Sequence, residues 1–466
     1  MTNSNYFLFV LCFVFLIIKF ISIYLTNFDL FGDEAQYWLW SKNLDFGYFS
    51  KPPLLPGIIA LVCSFFGNSF FVIKMISVLM YCLNSYVIFL ISKKLYKNLD
   101  LALLTATSFF LMPAVSVSSF LVSTDIILVL FWSLALLQTL IIKEKPSILN
   151  FILLGVFVGL AFLAKYAAIY FIVSIIFLLF EKTMKNIFFK NKLFFLSFIL
   201  TFIVIIAPNI IWNMNNNWVT FEHTADNAAL DRSGLHFTES LKFVGSQIIM
   251  VGPLIFLFFI FGFVKNIIND FNTRFLLIFS LPVFVIMLFE SFLVRANANW
   301  AAVSLISFLI LFVHITFKYS KKLIFINNIA NFFFGLCFFF LIGIGAPYGP
   351  FNKISGISSF ANSLIARNNL GQINNLVISD RMLFSNLSYF FYNSEIQMYV
   401  PFGPNMRWGH HFQITNPLPA DFHNNFIFLG YVEEIGYLRN KHTINLVDIK
   451  TVPFNKEPIK IYEIVF

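Results

Sequence analysis

Residues 6–24 read YFLFVLCFVFLIIKFISIY. This is an almost unbroken apolar run long enough to cross a bilayer, since a spanning helix needs roughly 20 apolar residues. It has no small-residue cleavage site and many similar runs follow it, so it reads as a first membrane span and not as a signal peptide. Further apolar runs lie near 69–91, 101–120, 126–142, 148–164, 167–180, 193–211, 243–264, 275–294, 301–317 and 323–345, which predicts about eleven spans. The piece 54–66, after Pro52-Pro53, is shorter and is expected to lie in the interface.

Composition points the same way. The chain is 59% hydrophobic and 11% charged, against roughly 25% charged in an ordinary soluble domain. That leaves too little polar surface for a soluble enzyme or a nucleic-acid-binding module, and too much apolar mass for a disordered chain. The 66 phenylalanines carry no functional reading. Cys12, Cys63, Cys82 and Cys337 all fall in apolar runs without CxxC spacing, so they support neither a zinc site nor a disulfide framework.

The net charge of +9 is explained by where the cations sit. Cytoplasmic loops retain Lys and Arg, and alternate connections carry Lys93, Lys94 and Lys97; Lys143 and Lys145; Lys182, Lys185, Lys190 and Lys192; Lys265 and Arg274; and Lys318, Lys321 and Lys322. The other connections are poor in positive charge and are expected to face outward, leaving the N-terminus cytoplasmic and the C-terminus outside. Residues 1–346 then form a transmembrane domain with outward loops near 27–68 and 212–242. Residues 347–466 form a small α/β domain, with strand-like pieces at 396–400, 426–430, 443–447 and 459–465 and a helix around 382–392.

Charges on the outward side need a reason, because each costs roughly 2.5–3.5 kcal/mol at the bilayer centre. The first outward loop reads FGDEAQYWLWSKNLDFGYFSKPPLLPG over residues 31–57. Asp33 and Glu34 follow a helix start, where the positive end of the helix dipole favours acids. Asp33, Tyr37 and Trp40 share one helical face, and Glu34 and Trp38 the next. Taken alone, this is either a capped interfacial helix with an aromatic belt or one wall of a site. Asp125 either caps its helix or supplies a second acid. Lys165 and Arg295 either snorkel to the interface or hold an anion, for which a guanidinium is well suited. His223, in the loop 212–242, is a weak metal candidate, because no metal-ligand spacing accompanies it.

The Asp33-Glu34 pair, the helix YWLW, Lys51-Pro52-Pro53, Thr124-Asp125, Leu163-Ala164-Lys165-Tyr166 and Asn299-Trp300-Ala301 together resemble the successive motifs of polyprenyl-phosphate-sugar glycosyltransferases of the C-type fold. That superfamily includes protein O-mannosyltransferases and the lipid A aminoarabinose transferases. The resemblance covers most of the membrane part, and ISDRMLFSNLSYFFY followed by MYVPFG is similar to the outward C-terminal domain of the bacterial branch.

The resemblance implies an inverting transferase of the bacterial inner membrane with a periplasmic active site. Its donor would be an undecaprenyl-phosphate sugar, its acceptor lipid A or another envelope glycan, and its remaining partners membrane lipids, with no nucleic acid. Asp33 would be the leading catalytic carboxylate, Asp125 a second acid and Glu34 a supporting group. Lys51, Lys165 and Arg295 would cradle the donor phosphate, and Tyr37, Trp38, Trp40 and Tyr166 would line the sugar or prenyl site. No cofactor is required. Some relatives hold a metal with a Glu just before the Lys-Pro turn, where this chain has Phe49-Ser50, which puts a divalent metal in doubt. The alternatives are a protein O-mannosyltransferase-like enzyme and a flippase for lipid-linked sugars. A flippase is expected to show matched repeats around a midplane site.

Overall fold

A computed structural model of the chain describes residues 3–228, 234–257, 270–369, 374–403, 406–438 and 442–466. Asp231, Arg232 and Lys265, which the sequence places in loops, lie outside the described residues. The described helices are α1 (Asn3–Leu25), α2 (Gly32–Trp40), α3 (Leu54–Phe66), α4 (Phe70–Tyr96), α5 (Leu99–Leu111), α6 (Pro113–Ser118), α7 (Thr124–Glu144), α8 (Ile148–Ala164), α9 (Ile169–Leu178), α10 (Lys182–Lys190), α11 (Lys192–Asn215), α12 (Val219–Ala228), α13 (Phe237–Val251), α14 (Phe271–Ile278), α15 (Leu281–Leu293), α16 (Ala302–Tyr319), α17 (Lys321–Gly343), α18 (Ile357–Asn369), α19 (Arg381–Phe390) and α20 (Phe412–Thr415).

The chain divides into two compact units. One holds Met1–Ile23, Lys51–Leu55 and Lys74–Phe340, and the other Tyr24–Ser50, Pro56–Ile73 and Leu341–Phe466. The first outward stretch, expected as a loop of the membrane part, therefore packs for the most part with the C-terminal residues.

Among the described residues of the chain, seven helices are long and apolar enough to cross a membrane, or eight if one bent pair counts as a span. The sequence had suggested about eleven. The predicted runs at 101–120, 148–164, 167–180 and 243–264 are not among the seven, and the last of them continues past α13 into residues outside the described ones. Pro113 has no amide hydrogen to donate, and the run at 101–120 breaks there into α5 and α6. The run at 167–180 gives only the short α9, followed by α10 at a 99° bend. The run at 148–164 forms α8, itself a shorter apolar helix.

In the membrane unit α8 packs closely on both α7 and α11. Gly155 and Gly159, one turn apart on α8, permit the approach to α11: an added Cβ would stand 2.7 Å from the Phe198 carbonyl oxygen at the first and 2.8 Å from Ile205 Cγ2 at the second. Small residues at this spacing let two helix backbones close up where no hydrophobic effect drives them together. The segment between α7 and α8 is short, and Ser147 caps α8 by accepting from Asn150 N. The two helices are thus antiparallel, which brings the start of α7 and the end of α8 to the same level.

The second unit carries a five-stranded sheet of β1 (Asn375–Ile378), β2 (Gln397–Tyr399), β3 (Phe426–Leu429), β4 (Thr443–Lys450) and β5 (Ile459–Val465), in the order β2-β1-β3-β5-β4. β1 runs parallel to β2 and β3, while β5 pairs antiparallel with β3 and β4. All four side chains of β3 are buried, as expected of a central strand covered on both faces. The sequence anticipated four of the strands and missed β1, whose four-residue run NLVI is too short for periodicity to identify.

Candidate active site

In the second unit, α2 begins at Gly32, so Asp33 and Glu34 fall in its first turn. They do different things. Glu34 is 2% exposed, and its Oε2 accepts from the Phe31 backbone N–H at 2.8 Å, satisfying one of the donors a helix start leaves open. Asp33 keeps 55% of its side chain exposed, with Oδ1 3.5 Å from Arg381 Nη2. Arg381 Nη1 donates to Gln36 Oε1 at 3.1 Å.

The aromatic residues of α2 are buried. Trp38 meets the rings of Tyr389 and Tyr392 edge-on and donates its indole N–H to Asn68 Oδ1 at 3.2 Å. Trp40 stacks on Tyr48 with ring centroids 4.4 Å apart and packs against His411. Tyr37 is buried beside Trp40. These rings form the packed wall that holds Asp33 at the surface of its helix.

Two further polar groups fix this unit. Asp29 accepts from the backbone N–H of Ile357 at 2.8 Å and of Ser358 at 3.1 Å, and burial raises its carboxyl above the usual carboxylate range. His411 Nδ1 accepts from the Phe49 N–H at 3.4 Å. Burial, with His410 adding to it, pushes the His411 imidazole down to about 4. His410 is also pushed down to about 4, by burial first and by the Arg381 charge second.

In the membrane unit, Asp125 in the first turn of α7 meets Lys165, the residue that ends α8. Lys165 Nζ lies 2.6 Å from Asp125 Oδ1, and Asn299 Nδ2 donates to Asp125 Oδ2 at 2.7 Å. Asn299 belongs to the short 3-10 turn Ala298–Ala301 that leads into α16. Both carboxylate oxygens are therefore engaged, beside a cavity of about 180 Å3 whose lining includes Tyr81, Ser118, Ser123, Asp125 and Asn299.

Tyr166 follows Lys165 and is buried. It stacks on Phe221 with centroids 4.6 Å apart and donates to Asn209 Oδ1 at 2.9 Å. Lys51 is half-buried in the turn before α3. Arg295 is exposed and has no ion-pair partner among the described residues. Also among the described residues, no three His, Cys, Asp or Glu side chains converge in a way that could hold a metal ion, and His223 belongs to no such group.

The family model of the dolichyl-phosphate-mannose-protein mannosyltransferases matches residues 50–212. The lipid A galacturonosyltransferase RgtD of Rhizobium johnstonii is 28% identical over 422 residues, covering 87% of this chain and 88% of that protein. Two crystal structures of ArnT from Cupriavidus metallidurans share the fold. The apo form has a TM-score of 0.72 at 12% identity over 99% of this chain and 98% of that one. The form bound to undecaprenyl phosphate has the same score and identity over 98% of each. These likenesses bear out the resemblance to the polyprenyl-phosphate-sugar glycosyltransferases of the C-type fold, and the ArnT structures show that the fold is shared.

Sequence reasoning singles out Asp33, Asp125 and Lys165 but leaves three groups without a role. Arg381 was visible only as the residue before a predicted helix. Asn299 was noted as part of a motif without a partner. His411 sat in a stretch that no motif covered. All three are far in sequence from the side chains they touch, and one sequence without its fold contains no signal for such pairs.

Proposed function

We propose that the chain is an inverting glycosyltransferase that moves one sugar from an undecaprenyl-phosphate carrier to lipid A. The observation that carries this reading is the likeness to a lipid A galacturonosyltransferase along most of both chains. The undecaprenyl phosphate bound by the ArnT structure of the same fold supports the donor class. The same likeness supports a hexuronic acid as the sugar, and with it a hexosyltransferase over a pentosyltransferase.

In this proposal an acceptor oxygen attacks the anomeric carbon from the face opposite the phosphate. The bond from that carbon to the phosphate oxygen breaks, and undecaprenyl phosphate leaves with the electron pair. Asp33 orients the acceptor and, where the acceptor is a hydroxyl, takes its proton. An acceptor phosphate is already ionised near neutral pH and needs only positioning. Lys51 and Arg295 stabilise the negative charge that grows on the leaving phosphate. Asp125 and Lys165 act as a pair, the cation partly neutralised until a phosphate competes for it. The positive-inside pattern supports a cytoplasmic N-terminus, a periplasmic C-terminal unit and eleven crossings in which the shorter helices take part.

A second reading, a protein acceptor, is favoured by the match of residues 50–212 to the protein mannosyltransferase family. The test is purified protein in liposomes with an undecaprenyl-phosphate-linked hexuronic acid and lipid A, read by mass spectrometry. Lipid A heavier by one sugar supports the proposal. Unmodified lipid A with donor intact or translocated overturns it, and transfer instead to an exported protein added to the same liposomes supports the second reading.

A further inference from the structure

The contact between α2 and α19 is built around three successive approaches within one unit. Gly32 lies so close to α19 that an added Cβ would stand 2.5 Å from Met382 Cβ and 2.5 Å from Met382 Sδ. One residue further along α2 and one residue earlier in α19, Asp33 meets Arg381. One turn further along α2, Gln36, 1% exposed, accepts from the same guanidinium.

Residues three apart on a helix share a face, so Arg381 straddles Asp33 and Gln36. Its own place is fixed, because it opens α19 directly after Asp380, whose Oδ1 caps the helix by accepting from the Leu383 N–H at 2.7 Å. A guanidinium is planar and presents its donors in a rigid fork. With one prong bound to a buried amide oxygen, the other has a defined direction, toward the Asp33 carboxylate.

We propose that Arg381 is a positioning residue for Asp33: the C-terminal unit supplies the cation that holds the reactive carboxylate in one orientation and balances its charge. The inference rests on Asp33 being the carboxylate that works on the acceptor. It makes residue 381 necessary for turnover although nothing requires it to touch substrate. Lysine is a poor substitute, because a single ammonium cannot keep the fork geometry that joins Gln36 to Asp33.

The experiment is a double-mutant cycle in the full-length protein, with Asp33→Asn, Arg381→Gln and the pair assayed in liposomes on undecaprenyl-phosphate-linked hexuronic acid and lipid A. Arg381→Gln is expected to lower kcat by about 10- to 100-fold, the scale of a slightly misplaced catalytic group. KM for the donor is expected to stay within about twofold, since no binding contact is lost. Arg381→Lys recovers only part of the loss, and added ethylguanidinium restores activity to Arg381→Ala. In the Asp33→Asn background Arg381→Gln adds nothing, because the residue acts through Asp33.

Wild-type kcat in Arg381→Gln, or a loss that multiplies with that of Asp33→Asn, overturns the inference. The same cycle read by thermal melting needs no substrate and is expected to show a coupling of about 1 °C, the scale of a partly exposed ion pair. A wild-type protein that transfers no sugar overturns the functional reading and not the pairing. In that case additive melting shifts overturn the pairing.

Discussion

Lys165 and Asp125 neutralise one another, their Nζ and Oδ1 atoms 2.6 Å apart, while Asn299 holds the second carboxylate oxygen. Both side chains are mostly shielded, at 19% and 15% exposure, so removing one leaves the other as an uncompensated charge. Lys165→Met and Asp125→Asn are each expected to lower thermal stability and turnover, and the double variant to be more stable than their added losses imply. The coupling is expected at about 1–3 kcal/mol, the range for residues in one charge network. Melting curves of the four proteins measure it, and strict additivity would show that the contact contributes nothing.

Asp33 and Glu34 are neighbours with separable roles. Asp33→Asn removes an exposed carboxylate that no helix cap depends on, so kcat is expected to fall by roughly 10^2- to 10^4-fold, the usual contribution of a general base, with melting little changed. Glu34→Ala removes the acceptor for the Phe31 N–H and is expected to cost about 1 kcal/mol of stability. Glu34→Gln keeps an acceptor oxygen and is expected to melt closer to wild type. Should Asp33→Asn transfer sugar at full rate, Asp33 is not the working carboxylate.

Gly32 is where a single methyl group decides the packing of α2 on α19. Gly32→Ala brings a Cβ against Met382 Cβ and Sδ, and overpacking of this kind typically costs about 1–3 kcal/mol. Met382→Ala added to it removes the sulfur contact but not the Cβ contact, so it is expected to restore only part of the melting temperature. Because Asp33 and Arg381 flank the contact, turnover is expected to fall along with stability in Gly32→Ala.

His411, together with its neighbour His410, gives the second unit a pH dependence on the acid side. The pKa of His411 is about 4 in the fold, against about 6.5 for an unperturbed histidine. The folded state therefore disfavours the proton: the stability is fully present above about pH 6.5 and declines as pH falls toward 4. Protonation at Nδ1 would also remove the acceptor for the Phe49 N–H. Melting temperature is expected to drop through this window in the wild type and to drop less in His411→Gln. A pH profile unchanged by that substitution would show that His411 is not the titrating group.

The membrane class, the loop charges that suggest orientation, the motif order and most of the C-terminal elements were legible because each rests on neighbours in the chain. Runs of apolar residues, a Pro-Pro turn or an acidic helix start are local facts. The short strand β1 was not legible, because the three apolar residues after Asn375 suit a buried strand and a helix fragment equally. Nor were the breaks at Pro113 and after α9, which divide runs that look continuous in the sequence.

The sequence by itself determined that this chain is a polytopic membrane protein and which acids and cations are candidates for its site, because burial energetics and charge retention act residue by residue. Only the tertiary structure decided which charge meets which. Asp125 goes to Lys165 because two antiparallel helices align their ends. Asp33 goes to Arg381 because a glycine lets two helices touch. An ion pair depends on the distance between side chains, and residues far apart in sequence acquire a distance only when the chain folds.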